Sequence, residues 1–173
     1  MSGTVQSPPE PTPPPADGPL LSLVYASRAV VGFGLDDLDE LLEHARTANA
    51  RVGVTGLLLF RDHRFLQLLE GPSAAVREKM AFIAEDPRHD RVTVLLEEHV
   101  PARQFPDWSM GYTAEATLQR AAVPGHRTTF DDLDFLPDDH GGAPDLGSVR
   151  ELLQWFRQDR DGSGADAGTA RPR

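Results

Sequence analysis

Between residues 20 and 113 the apolar and polar positions follow two alternating periods. Leu21, Leu23 and Tyr25 alternate with Ser22, Val24 and Ala26, the period of two that predicts a first strand. After a glycine-containing loop, Leu35, Leu38, Leu42 and Ala45 recur at steps of three and four, the stripe of an amphipathic helix. VGVTGLLLF (52–60) predicts a second strand, too apolar to lie at a sheet edge, and RDHR (61–64) is the turn into a third strand, FLQLLE (65–70). Pro72 suits the first turn of a second helix with Val76, Met80 and Ile83 on its inner face, and Pro87 stops it. RVTVLLEE (91–98) predicts a fourth strand and WSMGY (108–112) a fifth. The order β-α-β-β-α-β(-β) predicts an α+β, ferredoxin-like fold with helices on one face of a mainly antiparallel sheet.

The flanks differ in kind. Seven of the 15 prolines fall in residues 1–19 with two acids and no Lys or Arg, a composition that predicts a disordered, polyproline-like tail. Residues 114–121 are weakly helical, and LGSVRELLQWFRQ (146–158) is a better helix with Val149, Leu152, Leu153 and Phe156 on one side. A helix of that length is marginal alone, so docking is expected, on the open sheet face or on a partner chain. The expected organisation is therefore a tail (1–19), a folded domain (20–113), a helical extension (114–160) and a second disordered tail (161–173). The chain has 173 residues, no cysteine, and 17 Lys+Arg against 27 Asp+Glu, a net charge of −10. That charge argues against nucleic acid and against an anionic membrane, and the absence of cysteine excludes disulfides and thiolate chemistry. The six histidines show no metal-ligand spacing, so no metal is expected. No apolar run approaches the roughly 20 residues of a spanning helix, and a cytoplasmic protein is expected.

Three polar residues occupy positions where the pattern calls for a hydrophobe. Gln67 shares a strand face with Phe65 and Leu69, and Tyr25 shares one with Leu21 and Leu23. Asn49, the sole asparagine, continues the helical series from Ala45 by a step of four and faces the sheet. Each has a structural alternative: Asn49 as a left-handed helix C-cap, Tyr25 as a core tyrosine with its hydroxyl at the rim, Gln67 as a solvent-facing strand residue. A buried amide left unpaired costs about 1–3 kcal/mol, so their convergence suggests a shared polar partner. An amide offers an acceptor and donors side by side, which suits an imide edge. A planar heterocycle with such an edge and an apolar far end would satisfy the set, and flavin is one.

LVYASRA (23–29), NARVGVTGLLLF (49–60), RFLQLLEGP (64–72), DPRH (86–89) and FPDWSMGY (105–112) together resemble the BLUF domain, the blue-light sensor using FAD, in family order and spacing. The resemblance implies that Tyr25 is the electron and proton donor to the excited flavin and that Gln67 lies between it and the flavin N5/O4 edge. It implies that Asn49 holds the O4/N3 side, with Arg88 near O2 and Asp86 as a further polar contact. Ser27, Leu41, Phe65 and His89 are the remaining implied cofactor contacts, and Trp108 and Met110 the residues whose placement near the glutamine changes in signalling. Ala45, Ala48 and Phe82 stand where many relatives carry polar or basic residues, which implies thinner contacts.

The function so implied is a non-covalent FAD photoreceptor, not an enzyme, of the short stand-alone type. Its output is an interaction with an unknown downstream protein or a homo-oligomer, dimer or larger. Two alternatives carry other functions: a flavin-free assembly scaffold, and an acylphosphatase-like hydrolase, for which GFG (32–34) is only a fragment of a phosphate loop.

Overall fold

The computed structural model describes residues 18–113 and 146–162. Five strands and three helices follow in the order β1 (Leu20–Ala29), α1 (Leu35–Val52), β2 (Thr55–Arg61), β3 (Arg64–Pro72), α2 (Ser73–Glu85), β4 (His89–Val100), β5 (Gly111–Thr113) and α3 (Leu146–Gly162). The sheet order is β4-β1-β3-β2-β5, antiparallel except for the parallel β2–β5 pair. This is the ferredoxin-like arrangement expected from the pattern, with β2 inside the sheet and β4 at its edge.

Several boundaries move for physical reasons. The second strand starts at Thr55 rather than Val52, because α1 continues through Val52 and is closed by Gly53 in the left-handed conformation (φ 67°). At the other end of α1, the Asp37 carboxylate accepts the Gly34 N–H (2.7 Å), which explains the helix start without a Ser or Thr cap. The β2–β3 hairpin turns through Asp62 and His63, both at positive φ (47° and 59°), as a two-residue primed turn requires. The fifth strand is only Gly111–Thr113, so Trp108 and Met110 lie on the loop that leads into it. The last helix reaches Gly162, so Asp161 and Gly162 belong to it rather than to a tail. Most of the predicted Pro-rich tail, the weak helix at 114–121 and residues 163–173 lie outside the described residues.

The sheet is buried on both faces. On one, α1 and α2 cover Leu21, Leu23, Tyr25, Leu58, Phe65 and Leu69 with Leu38, Leu42 and Val76. On the other, α3 lays Val149, Leu152 and Leu153 over Val24, Ala26, Leu57, Leu59, Leu66 and Leu68. Of the two covers expected for this helix, the open sheet face is the one observed. The central strands therefore read as nearly continuous apolar runs, since both sets of alternate side chains leave water.

Candidate functional site

β1 and β3 pair so that Tyr25 stands directly opposite Gln67, while on the other flank of β3 Leu58 faces the same glutamine. Cross-strand partners share a face, so this register alone brings the phenol beside the amide under α1 and α2. The Tyr25 hydroxyl donates to Gln67 Oε1, and Gln67 Nε2 donates to Met110 Sδ at 3.2 Å. All three side chains are buried. Burial, with the charge of Asp86 adding to it, holds the Tyr25 phenol well above the usual phenolic range, so it keeps its proton.

Asn49 is also buried, inside α1 rather than at its cap, which is Gly53. Its Nδ2 donates to the Ser109 carbonyl at 2.8 Å, and one turn earlier Arg46 Nε donates to the Met110 carbonyl at 3.0 Å. One helix face therefore grips the loop that carries Met110. The Oδ1 of Asn49 is buried and meets no hydrogen-bond partner among the described residues.

Between the two helices lies a cavity of about 230 Å³. Tyr25, Gln67 and Leu58 line it from the sheet, and Leu41, His44, Ala45, Ala48 and Asn49 from α1. Lys79, Phe82 and Ile83 line it from α2, with the capping Asp86, Arg88 and His89 beyond. Asp86 and Arg88 form a bidentate pair (2.6 and 3.0 Å), and the Arg88 hydrogen bond holds the Asp86 carboxyl below its ordinary value. His89 packs against Phe65 at a tilt (centroids 4.7 Å apart, 46° between planes), shares a hydrogen bond with Ser27 (2.8 Å), and has its pKa pushed down chiefly by desolvation. Ser27 and Phe65 thus stand behind His89 and are not among the residues lining the cavity.

Trp108 goes the other way. It stacks on Phe105 (5.2 Å, 25°) on the α3 face, so Met110 and not Trp108 meets Gln67. The glycine at 111 permits this, because a Cβ there would overlap the Trp108 indole.

Sequence reasoning did not single out Lys79, His44, Leu58 or Arg46. Lys79 was detectable: it is the only lysine, and it precedes Phe82 and Ile83 by one helical turn.

The donor set fits a flavin. An orphaned buried oxygen on Asn49 awaits an N–H, the amides of Asn49 and Gln67 carry donors for a neighbouring carbonyl, and Leu41, Ala45, Ala48, Leu58, Phe82 and Ile83 give the wall its apolar part. Drug-sized ligands occupy pockets of about 300–1,000 Å³; at about 230 Å³ the cavity is below that range, a size for a ring head rather than for a whole dinucleotide.

Comparisons with known proteins agree. The family model described as BLUF, sensors of blue light using FAD, matches residues 20–111. The blue light- and temperature-regulated antirepressor BluF of Escherichia coli is 37% identical over 86 residues, 50% of this chain and 21% of that protein. The photoactivated adenylate cyclase subunit beta of Euglena longa is 32% identical over 103 residues, 59% of this chain and 12% of that one. The chain thus spans about a fifth or less of the length of these curated relatives. Among solved structures, the dark state of BlrB, a BLUF protein, superposes with a TM-score of 0.66 at 31% identity, covering 82% of this chain and 98% of BlrB. The photo-activated state of BlsA gives 0.61 at 28% identity, with 78% and 94% covered.

Proposed function

The chain belongs to the BLUF family, the sensors of blue light using FAD, and from that premise we propose that it is a photoreceptor in which Tyr25 and Gln67 switch the position of Met110. A bound flavin supplies blue-light absorption and an electron acceptor. Asn49 would hold the ring through its unpaired Oδ1, and Arg88, fixed in place by Asp86, would be a further polar contact at the cavity. Tyr25, hydrogen-bonded to Gln67 Oε1, would be the residue to give a bound flavin an electron and, through that hydrogen bond, a proton; their return to the phenol would leave no covalent bond.

The amide of Gln67 is the bistable element. In the arrangement observed, its oxygen accepts from Tyr25 and its nitrogen donates to Met110 Sδ. Exchanging oxygen and nitrogen would set an acceptor against the thioether, which has no proton to give. Met110 then loses its partner, and the loop from Phe105 to Met110 is free to shift against Arg46 and Asn49. A small polar network with two arrangements, coupled to the loop that carries Met110, is a sufficient switch.

The observation that carries this reading is the buried Tyr25–Gln67–Met110 chain beside an orphaned asparagine oxygen. The output is binding rather than catalysis: a downstream protein, or a change in a homo-oligomer, receives the shift. The Escherichia coli relative, named an antirepressor, supports a protein partner. The test is an absorption spectrum of the purified protein in darkness and after blue light. A flavin band that moves to the red and relaxes in darkness is expected; a colourless protein, or a flavin band that never moves, overturns the proposal.

A further inference from the structure

The cavity is polar at the ring end, but its basic residues are not equivalent. The Arg88 guanidinium is neutralised by the Asp86 carboxylate in a bidentate pair. Lys79, half-buried on α2 two turns before Asp86, lines the same cavity and makes no ion pair or hydrogen bond with the described residues. Burial pulls its ammonium below the ordinary lysine value with no carboxylate to offset the loss of water. A partly desolvated cation without a counter-charge is unfavourable in a protein alone and becomes favourable when a ligand brings an anion. His44, exposed on the facing helix α1, lines the same cavity and adds a second donor. Next to Lys79, Phe82 is 65% exposed and contributes only apolar surface, so among the α2 residues that line the cavity Lys79 supplies the charge.

We propose that Lys79 is the phosphate-recognising residue of this cavity, selecting a phosphorylated flavin over the bare vitamin. The inference rests on the flavin reading above. The spacing is compatible with it: Lys79 and Asp86 are seven residues apart, about 10 Å along a helix axis, so the ammonium lines the same cavity at a distance from the Asp86–Arg88 pair. A chain with net charge −10 repels a free anion at long range, which makes a local cation the more necessary.

The test uses the full chain stripped of flavin, titrated with riboflavin, FMN and FAD by fluorescence quenching. The quantity read is the ratio of riboflavin Kd to FMN Kd. Lys79→Met is expected to lower that ratio about tenfold and Lys79→Arg to restore most of it, as for a charge-assisted contact. In the unaltered protein the ratio is expected to fall as salt rises from low to high, a measurement that needs no variant to fold. Equal ratios in the unaltered and Lys79→Met proteins, or a ratio indifferent to salt, overturn the assignment of Lys79 while leaving flavin binding intact. Failure of the unaltered protein to bind any of the three overturns the flavin reading and this inference with it.

Discussion

At the scale of single residues the site is built on opposition between burial and hydrogen bonding. Tyr25 is fully buried and donates to Gln67, so Tyr25→Phe removes the donor and leaves the ring's packing in place. Flavin should still bind to that variant, within about threefold, a change of about 0.7 kcal/mol, while the light-induced shift disappears; a shift of normal size in illuminated Tyr25→Phe would refute the donor role. Asn49 presents the converse case. Its Oδ1 is unpaired and buried, a state that costs about 1–3 kcal/mol, so the residue is poorly chosen for stability and well chosen for a ligand. Asn49→Leu should change the flavin-free unfolding free energy by less than about 1 kcal/mol, because the lost bond to Ser109 is offset by removal of the orphan. The same variant should weaken flavin binding at least tenfold, which paired denaturation and titration curves would measure. These residues were legible because each broke a clear period: a tyrosine, a glutamine and an asparagine stood where a hydrophobe belonged. Which of Trp108 and Met110 meets Gln67 was not legible, since it depends on the indole lying over Gly111, a contact that no local pattern encodes.

At the scale of elements the question is how a short loop carrying Met110 is held in place. β3 does it twice. Gln67 on its helix face meets the Met110 side chain, and Glu70 on the opposite face, fully buried, accepts the N–H groups of Gln104 (2.8 Å) and Phe105 (3.0 Å) through Oε2. Arg103 reinforces that end by donating to the Glu70 carbonyl (2.8 Å), to Thr55 (3.0 Å) and to the Gly53 carbonyl. Hydrogen bonds to a charged group contribute about 1.5–3 kcal/mol each. Two such bonds, less the cost of about 1–3 kcal/mol of the Glu70 Oε1, which is buried without a partner among the described residues, leave an expected loss of about 2–4 kcal/mol in Glu70→Ala, with faster hydrogen exchange at the Gln104 and Phe105 amides; Arg103→Ala should show the same exchange effect with a smaller loss. Unchanged exchange at those two amides in both variants would dispose of the latch. Phe105 also packs under α3, so the loop touches both layers of the molecule. The elements themselves were readable from periodicity and from Gly, Pro and turn residues. Glu70 was not, because an acid at the end of a strand ordinarily marks the surface, and only the returning loop buries it.

At the scale of the whole molecule, the sheet separates a ligand face under α1 and α2 from a face sealed by α3, and the chemistry of the first sets how the molecule responds to acid. His89 lines the cavity, bonded to Ser27 and packed on Phe65 near Tyr25. Desolvation lowers its pKa in the folded state; Asp86 opposes that shift and Arg88 adds to it. A histidine with a folded pKa below the unfolded value of about 6.5 binds fewer protons folded than unfolded. Stability therefore rises with pH between those two values, is flat above about 6.5, and is lost as the unfolded chain takes up a proton that the native one refuses. Asp86 acts in the same direction lower down. Its folded pKa is depressed chiefly by the Arg88 hydrogen bond, so its contribution is present above about 3.9 and is lost as pH falls through the folded value. The acid limb of a plot of unfolding free energy against pH should then begin near 6.5, with a slope from His89 of at most about 1.4 kcal/mol per unit. In His89→Gln that upper part should flatten while the limb near 4 persists. Denaturant titrations of both proteins from pH 8 to 4 decide it: a slope between pH 6.5 and 5 that survives in His89→Gln would assign the proton to another group.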